Sequence, residues 1–180
     1  MAQRHFSAAT FRTLGAAATA QNLFTIQNSG ANVLIRIKRL VFQMDATAVL
    51  TTFMPIIKTS RSAAASGGTT LTKARFDTTE TASHADVVVR GATASDGGSA
   101  TAITCTPGDI MWQQYGMRLH TAVGQVLGLD NNSLSIITQD TPVVLRNGEV
   151  LVVHVVAAAT SSNPNTNHYF VECVWSEDDL

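Results

Sequence analysis

Five histidines, two cysteines and thirteen carboxylates are the side chains through which this chain could do chemistry, and their spacing decides what kind. His154 stands in the middle of "VLVVHVV", residues 150–156, where it could be a metal ligand, a general base or an imidazole satisfied inside a strand. A metal would need at least two more ligands beside it. His84 and Asp86 form a His-x-Asp pair on one strand face, and His168 opens the last apolar run, so a mixed His/Asp site is conceivable. No spacing among them is diagnostic, and the His-x-His pair with a later Glu used by cupin-type metal barrels does not occur. Nucleophilic catalysis has less to build on: GxSxG is absent, and neither Cys105 nor Cys173 has a histidine at a recognisable family spacing. The stretch "SDGGSA" lacks the lysine of a phosphate loop. Asp77 and Glu80 fit a capping box, and Glu177, Asp178 and Asp179 read as a solvated tail, so no carboxylate pair is set up for acid–base work. These residues predict no enzyme, no metal, no cofactor and no catalytic residue. His154 is expected to be structural, its N–H met by a carbonyl or hydroxyl, because a buried unpaired polar group costs about 1–3 kcal/mol.

Charge narrows the partners. The net charge is −1, which gives no global field towards nucleic acid or an anionic membrane. The halves are opposed: residues 1–90 hold ten Lys/Arg against four Asp/Glu, and residues 91–180 hold two against nine. Oppositely charged strands lying side by side account for this, and docking between subunits is the alternative. "RIKR" is the densest basic cluster, but alternation puts Arg36 and Lys38 on one outer strand face with too few aromatics nearby to stack bases. A solvated face or an acidic partner surface is the cheaper reading. Charged residues make up only 14% of the chain, against about 25% in typical soluble domains. Small polar residues cover the surface instead, as in proteins packed against copies of themselves. The basic N-terminus has no leucine-rich core of a signal peptide, and no strongly apolar run of about 20 residues exists to span a membrane. Synthesis in a cytoplasm is expected.

The elements that must position these residues are strands. A period of two recurs between Gly, Asn, Pro and Asp punctuation, and helical periodicity is scarcely found. Phe24 and Ile26 alternate, "NSGAN" offers turn residues, and Val33, Ile35 and Ile37 alternate again, which predicts a hairpin. After Arg39 the phase slips, since Leu40, Phe42 and Met44 have the opposite parity; a β-bulge is expected, bending the strand so that it can pass between sheets. Nine or ten strands predict an all-β, two-sheet, jelly-roll-like β-sandwich. Residues 1–20 lack alternation and read as an extended N-terminal arm, with residues 21–180 as a single β-sandwich domain.

Two strands stand out. On residues 150–156 both faces are apolar, which predicts cover on both sides. On the last strand Tyr169, Val171, Cys173 and Trp175 share a core face, and Phe170 on the other face is a candidate interface anchor. Trp112 and Tyr115 have opposite parities, so one of them is free to meet a neighbour. With Arg36 and Lys38 they complete the candidate interface.

The segments "LFTIQNSGANVLIRIKRLVFQMDATAV", "PVVLRNGEVLVVHVV" and "NHYFVECVWSED" resemble small accessory virion proteins of tailed bacteriophages. The resemblance implies a homotrimeric cement or decoration protein that binds the major capsid protein on the outer surface of the head and stabilises the shell. A receptor- or glycan-binding module of a fibre or tail is the alternative, resting on an exposed Trp112 or Tyr115 beside loops such as "LDNNS".

Overall fold

The computed structural model describes residues 3–13, 21–46, 56–62, 64–90, 102–115, 133–137, 142–156 and 167–180. Side chains within these segments are described except at residues 13, 43–46, 56–59, 112–115, 133–137, 155–156 and 167–168. All regular elements are strands: β1 (Arg4–Thr13), β2 (Gln21–Asn28), β3 (Val33–Ala46), β4 (Ile56–Ser62), β5 (Ser66–Gly67), β6 (Thr69–Thr70), β7 (Ala74–Arg75), β8 (Ala85–Val89), β9 (Ile103–Thr104), β10 (Ile110–Tyr115), β11 (Ser133–Ile137), β12 (Val143–Leu145), β13 (Val150–Val156) and β14 (Asn167–Asp179). They form two six-stranded sheets arranged as a sandwich, and every described pairing is antiparallel. Sheet I runs β11-β3-β14-β1-β7, with β12 also on β3; sheet II runs β10-β4-β13-β2-β8-β6. A two-stranded ribbon, β5-β9, lies apart from both.

The core is where the inner faces meet. Sheet I contributes Phe6, Ile35, Ile37, Leu40, Phe42 and the row Tyr169, Val171, Cys173, Trp175; sheet II contributes Phe24, Ile26, Val87, Val89, Leu151 and Val153. Phe6 stacks on Trp175 at 5.9 Å and Phe42 on Tyr169 at 5.4 Å. Such pairs add about 0.5–1.5 kcal/mol each beyond the area they bury. The phase slip in β3 is a bulge at Lys38: Ile37 faces Trp175 and Arg39 faces Val174, leaving one residue over. The extra residue restores the inward direction of Leu40 and Phe42, and both halves of β3 stay in sheet I.

Several expectations need correcting. "NSGAN" does not close a hairpin, because β2 lies in sheet II and β3 in sheet I. It is an arch between the sheets, folded around the buried amide of Asn28, which donates to the carbonyls of Val33 (2.7 Å) and Leu145 (2.9 Å). "RNGE" is a second arch, from β12 to β13, with Gly148 at a φ of 79°. The two arches are tied together, since Gly148 N–H donates to the Asn28 carbonyl and Asn28 N–H to that of Glu149. Residues 4–13 of the segment read as an arm are strand β1, paired along its whole length with β14 of the same chain. Its inner face carries Phe6 and Ala8 in the core and buried arginines, Arg4 and Arg12, towards its ends; that mixture removes the apolar alternation. Asp77 opens a turn in which it accepts from Thr79, while Glu80 accepts from His5 N–H on β1 and caps no helix. The "solvated tail" is the end of β14, and Glu177 is completely buried.

Candidate functional site

The outer face of sheet I gathers the candidate residues that lie among the described side chains. Across β1, β14 and β3 the register sets Phe11 beside Phe170, then Ala9, Glu172 and Val41 in one row, then Ser7, Val174 and Arg39, then His5, Ser176 and Arg36. Residues directly opposite in antiparallel strands share a face. Phe170 is half-buried, while Phe11 keeps 46% of its surface exposed. One end of the face is therefore apolar. The other is a field of ion pairs: Arg39 with Glu172, and Arg36 Nε with Asp178 at 2.5 Å. Burial alone would push the Asp178 carboxyl up, but hydrogen bonds from Arg36 and Gln3 and the charges of Arg36 and Lys38 outweigh it and hold it below the usual range. Arg36 and Lys38 thus do face acid, that of their own chain. Sequence alternation missed Phe11, because Phe6 and Phe11 have opposite parities in a strand without a regular pattern. Trp112 and Tyr115 lie on β10, at the edge of sheet II, and their side chains fall outside those described.

His154, Ser60 and Cys173 are turned away from solvent. On β13 Leu151 and Val153 belong to the core, and Val150, Val152 and His154 are buried on the opposite face. His154 Nε2 lies 2.9 Å from the hydroxyl of Ser60 on β4, which is the hydroxyl partner the imidazole requires. A hydroxyl hydrogen-bonded to a histidine is also the beginning of a nucleophilic pair, but Ser60 has no exposed surface. Opposite His154 sits Asn22, whose amide donates to the carbonyls of Ile103 (3.2 Å) and Cys105 (3.1 Å), so the segment carrying β9 lies over this face. His84 and Asp86 are exposed, and the His168 side chain is outside those described. Among the described residues no group of three metal-ligating side chains converges. Burial pushes both thiols up, with the neighbouring Glu172 adding to the effect at Cys173.

Glu177 is the group that the residue pattern should have flagged, since it continues the inward row of Tyr169 to Trp175. Its carboxylate accepts from the Ser83 hydroxyl at 2.5 Å, the His84 amide at 3.0 Å, the Ala85 amide at 3.3 Å and the Trp175 indole at 3.2 Å. Arg4 lies 3.7 Å away and pairs more closely, at 2.5 Å, with Asp179. A charge at this depth is tolerable only with such a set of donors. The cluster ties β14 of sheet I to the start of β8 in sheet II.

No protein-family model matches the chain, and no curated protein matches it.

Proposed function

We propose that this chain is a structural subunit working through its outer surface: an accessory virion protein of the tailed-phage cement or decoration type. In this reading it assembles as a homotrimer with a jelly-roll winding and binds the major capsid protein on the outside of the head. The observation that carries the reading is the outer face of sheet I, where Phe11 and Phe170 sit side by side on a sheet surface bordered by ion pairs. An apolar patch beside charged and polar residues is the make-up of a protein interface.

Strand order supports the winding. With β5 to β9 set aside and β11 and β12 taken together as one strand, the eight remaining strands numbered along the chain give sheet orders 1-8-3-6 and 2-7-4-5. Two interlocked Greek keys produce that arrangement, which serves in viral capsids, lectins and cupins alike. Fold therefore does not choose among these roles. The surface and the resemblance to accessory virion proteins favour the capsid role.

Light scattering on the purified protein tests the assembly. A mass of three subunits is expected at micromolar concentration, falling to one in the double variant Phe11→Ser, Phe170→Ser with its β-rich circular dichroism intact. A monomeric wild-type chain would refute the trimer, and labelled protein missing from the outside of imaged particles would refute the capsid role.

A further inference from the structure

At the end of the sandwich away from the arches, two arginines gather around one tyrosine. Arg12 on β1 is the register partner of Tyr169 on β14, so the two share the inner face. The Tyr169 hydroxyl donates to the carbonyl of Leu23 at 3.1 Å and to that of Arg90, the residue that follows β8. Arg90 N–H in turn donates to the Leu23 carbonyl at 2.9 Å. Arg12 is 9% exposed and Arg90 half-buried. The Nε atoms of both are buried and have no hydrogen-bond partner among the described residues. Arg4 Nε is also without a partner, but Arg4, like Arg36, Arg39 and Arg61, is paired with a carboxylate, and among the described residues Arg12 and Arg90 are not. Both guanidinium charges act on the Tyr169 hydroxyl, against the burial that pushes its pKa up.

Like charges that both act on the Tyr169 hydroxyl repel each other, and a buried guanidinium such as Arg12 loses hydration worth several kcal/mol unless an anion replaces it. We propose that Arg12 and Arg90 form a binding site for an oxyanion, a phosphate or a carboxylate, at this end of the sandwich. A guanidinium presents a planar fork of donors that matches two oxygens at once. The backbone of Arg90 is fixed from both sides through Leu23 and Tyr169, so the root of its side chain is in place before the ligand arrives. This site is separate from the outer face of sheet I and does not depend on the assembly role.

Titration of the full-length protein with inorganic phosphate, and separately with acetate, tests the site. Sodium chloride holds the ionic strength constant, and calorimetry and thermal melting are the readouts. Saturable heat and a saturable rise in Tm with at least one of the two anions are expected, with affinity at least tenfold weaker in Arg12→Gln and in Arg90→Gln. Arg90 is the less buried of the pair, so its variant serves if Arg12→Gln does not fold. Asp86, four positions before Arg90, is exposed on β8, and the next carboxylate after Arg90 along the chain is Asp96, six positions on. A response absent from wild type but present in Asp96→Asn would mean that this side chain already fills the site, and would overturn the proposal. So would the absence of any saturable response, or equal responses in wild type and both arginine variants.

Discussion

Replacing Glu177 by glutamine removes the charge of a fully buried carboxylate while keeping its volume. Its two oxygens accept from the Ser83 hydroxyl, the His84 and Ala85 amides and the Trp175 indole, with Arg4 beyond. Oε1 accepts from all four and Oε2 faces the His84 amide and Arg4, so a carboxamide that keeps its oxygen at the Oε1 position turns its NH₂ towards Arg4 and that amide, and the guanidinium loses a charged partner. Such a loss costs about 1–3 kcal/mol, and removing one member of a buried charged cluster costs about 3–5 kcal/mol in all. Total stability for a domain is about 5–15 kcal/mol, so the variant should still fold. At roughly 2–4 °C per kcal/mol for a chain of this size, Tm should fall by about 10 °C. Guanidinium unfolding at neutral pH should show the midpoint displaced with the slope unchanged. Asp178→Asn, one residue on in a half-buried pair with Arg36 that water still reaches, should cost about 1 kcal/mol. Adding Ser83→Ala to Glu177→Gln should cost less than the two single changes summed, because both act on one cluster. A Glu177→Gln protein within about 1 kcal/mol of wild type would show that the cluster does not hold the sheets together.

Tyr169 is protonated in the fold with its pKa raised by burial, so its contribution is fully present below about pH 10, the unfolded value, and is lost as the unfolded chain ionises above it. In Tyr115→Phe protein, absorbance at 295 nm should stay flat through pH 10 and rise only with global unfolding; a smooth titration near 10 would contradict the burial. Cys173 is buried and Cys105 half-buried, so iodoacetamide followed by mass spectrometry should leave Cys173 unlabelled until denaturant is added, and labelling of Cys173 in native protein would refute its placement. Gly148 has a φ of 79° with nothing within 4 Å of an added Cβ, so Gly148→Ala should cost about 1–2 kcal/mol from backbone strain alone, with Gly148→Asn milder; equal stability of all three proteins by denaturant unfolding would count against the arch geometry.

The period of two made the strands legible, and the parity change after Arg39 located the bulge to within one residue. The inward row of β14 was equally plain. What could not be read was the sheet to which each strand belongs. A hairpin and an arch use the same turn residues, and differ in whether the strands meet edge to edge or face to face. Here Asn28 decides, through an acceptor on Leu145, 117 positions away. β1 was obscured because an inner face that reaches both ends of a sandwich needs arginines there, and Arg4 and Arg12 break the apolar pattern of Phe6 and Ala8. Glu177 was misread for the opposite reason: its parity pointed inward, but two acidic neighbours made it look like part of a tail.

Apolar burial holds two sheets together without fixing how they slide, since it is non-directional. Directional bonds between the sheets supply what it lacks: those of the Tyr169 hydroxyl at one end, and a larger set at the arch end. Asn28 ties β2 to β12 and β3, Glu177 ties β14 to β8, and Arg61 on β4 reaches both the Val144 carbonyl on β12 and Glu149 in the second arch. A subunit that acts through its contours requires such ties, because Phe11 and Phe170 form a usable surface only if β1 and β14 keep their register when the face is loaded. Arg4 links that requirement to the arch end directly: it is the first residue of β1, and it is pinned to Glu177 and Asp179 at the end of β14. The other end of the same strand pair carries Arg12 opposite Tyr169. Arg12 has no carboxylate partner among the described residues, and the register does not need one there because it is already fixed at Arg4.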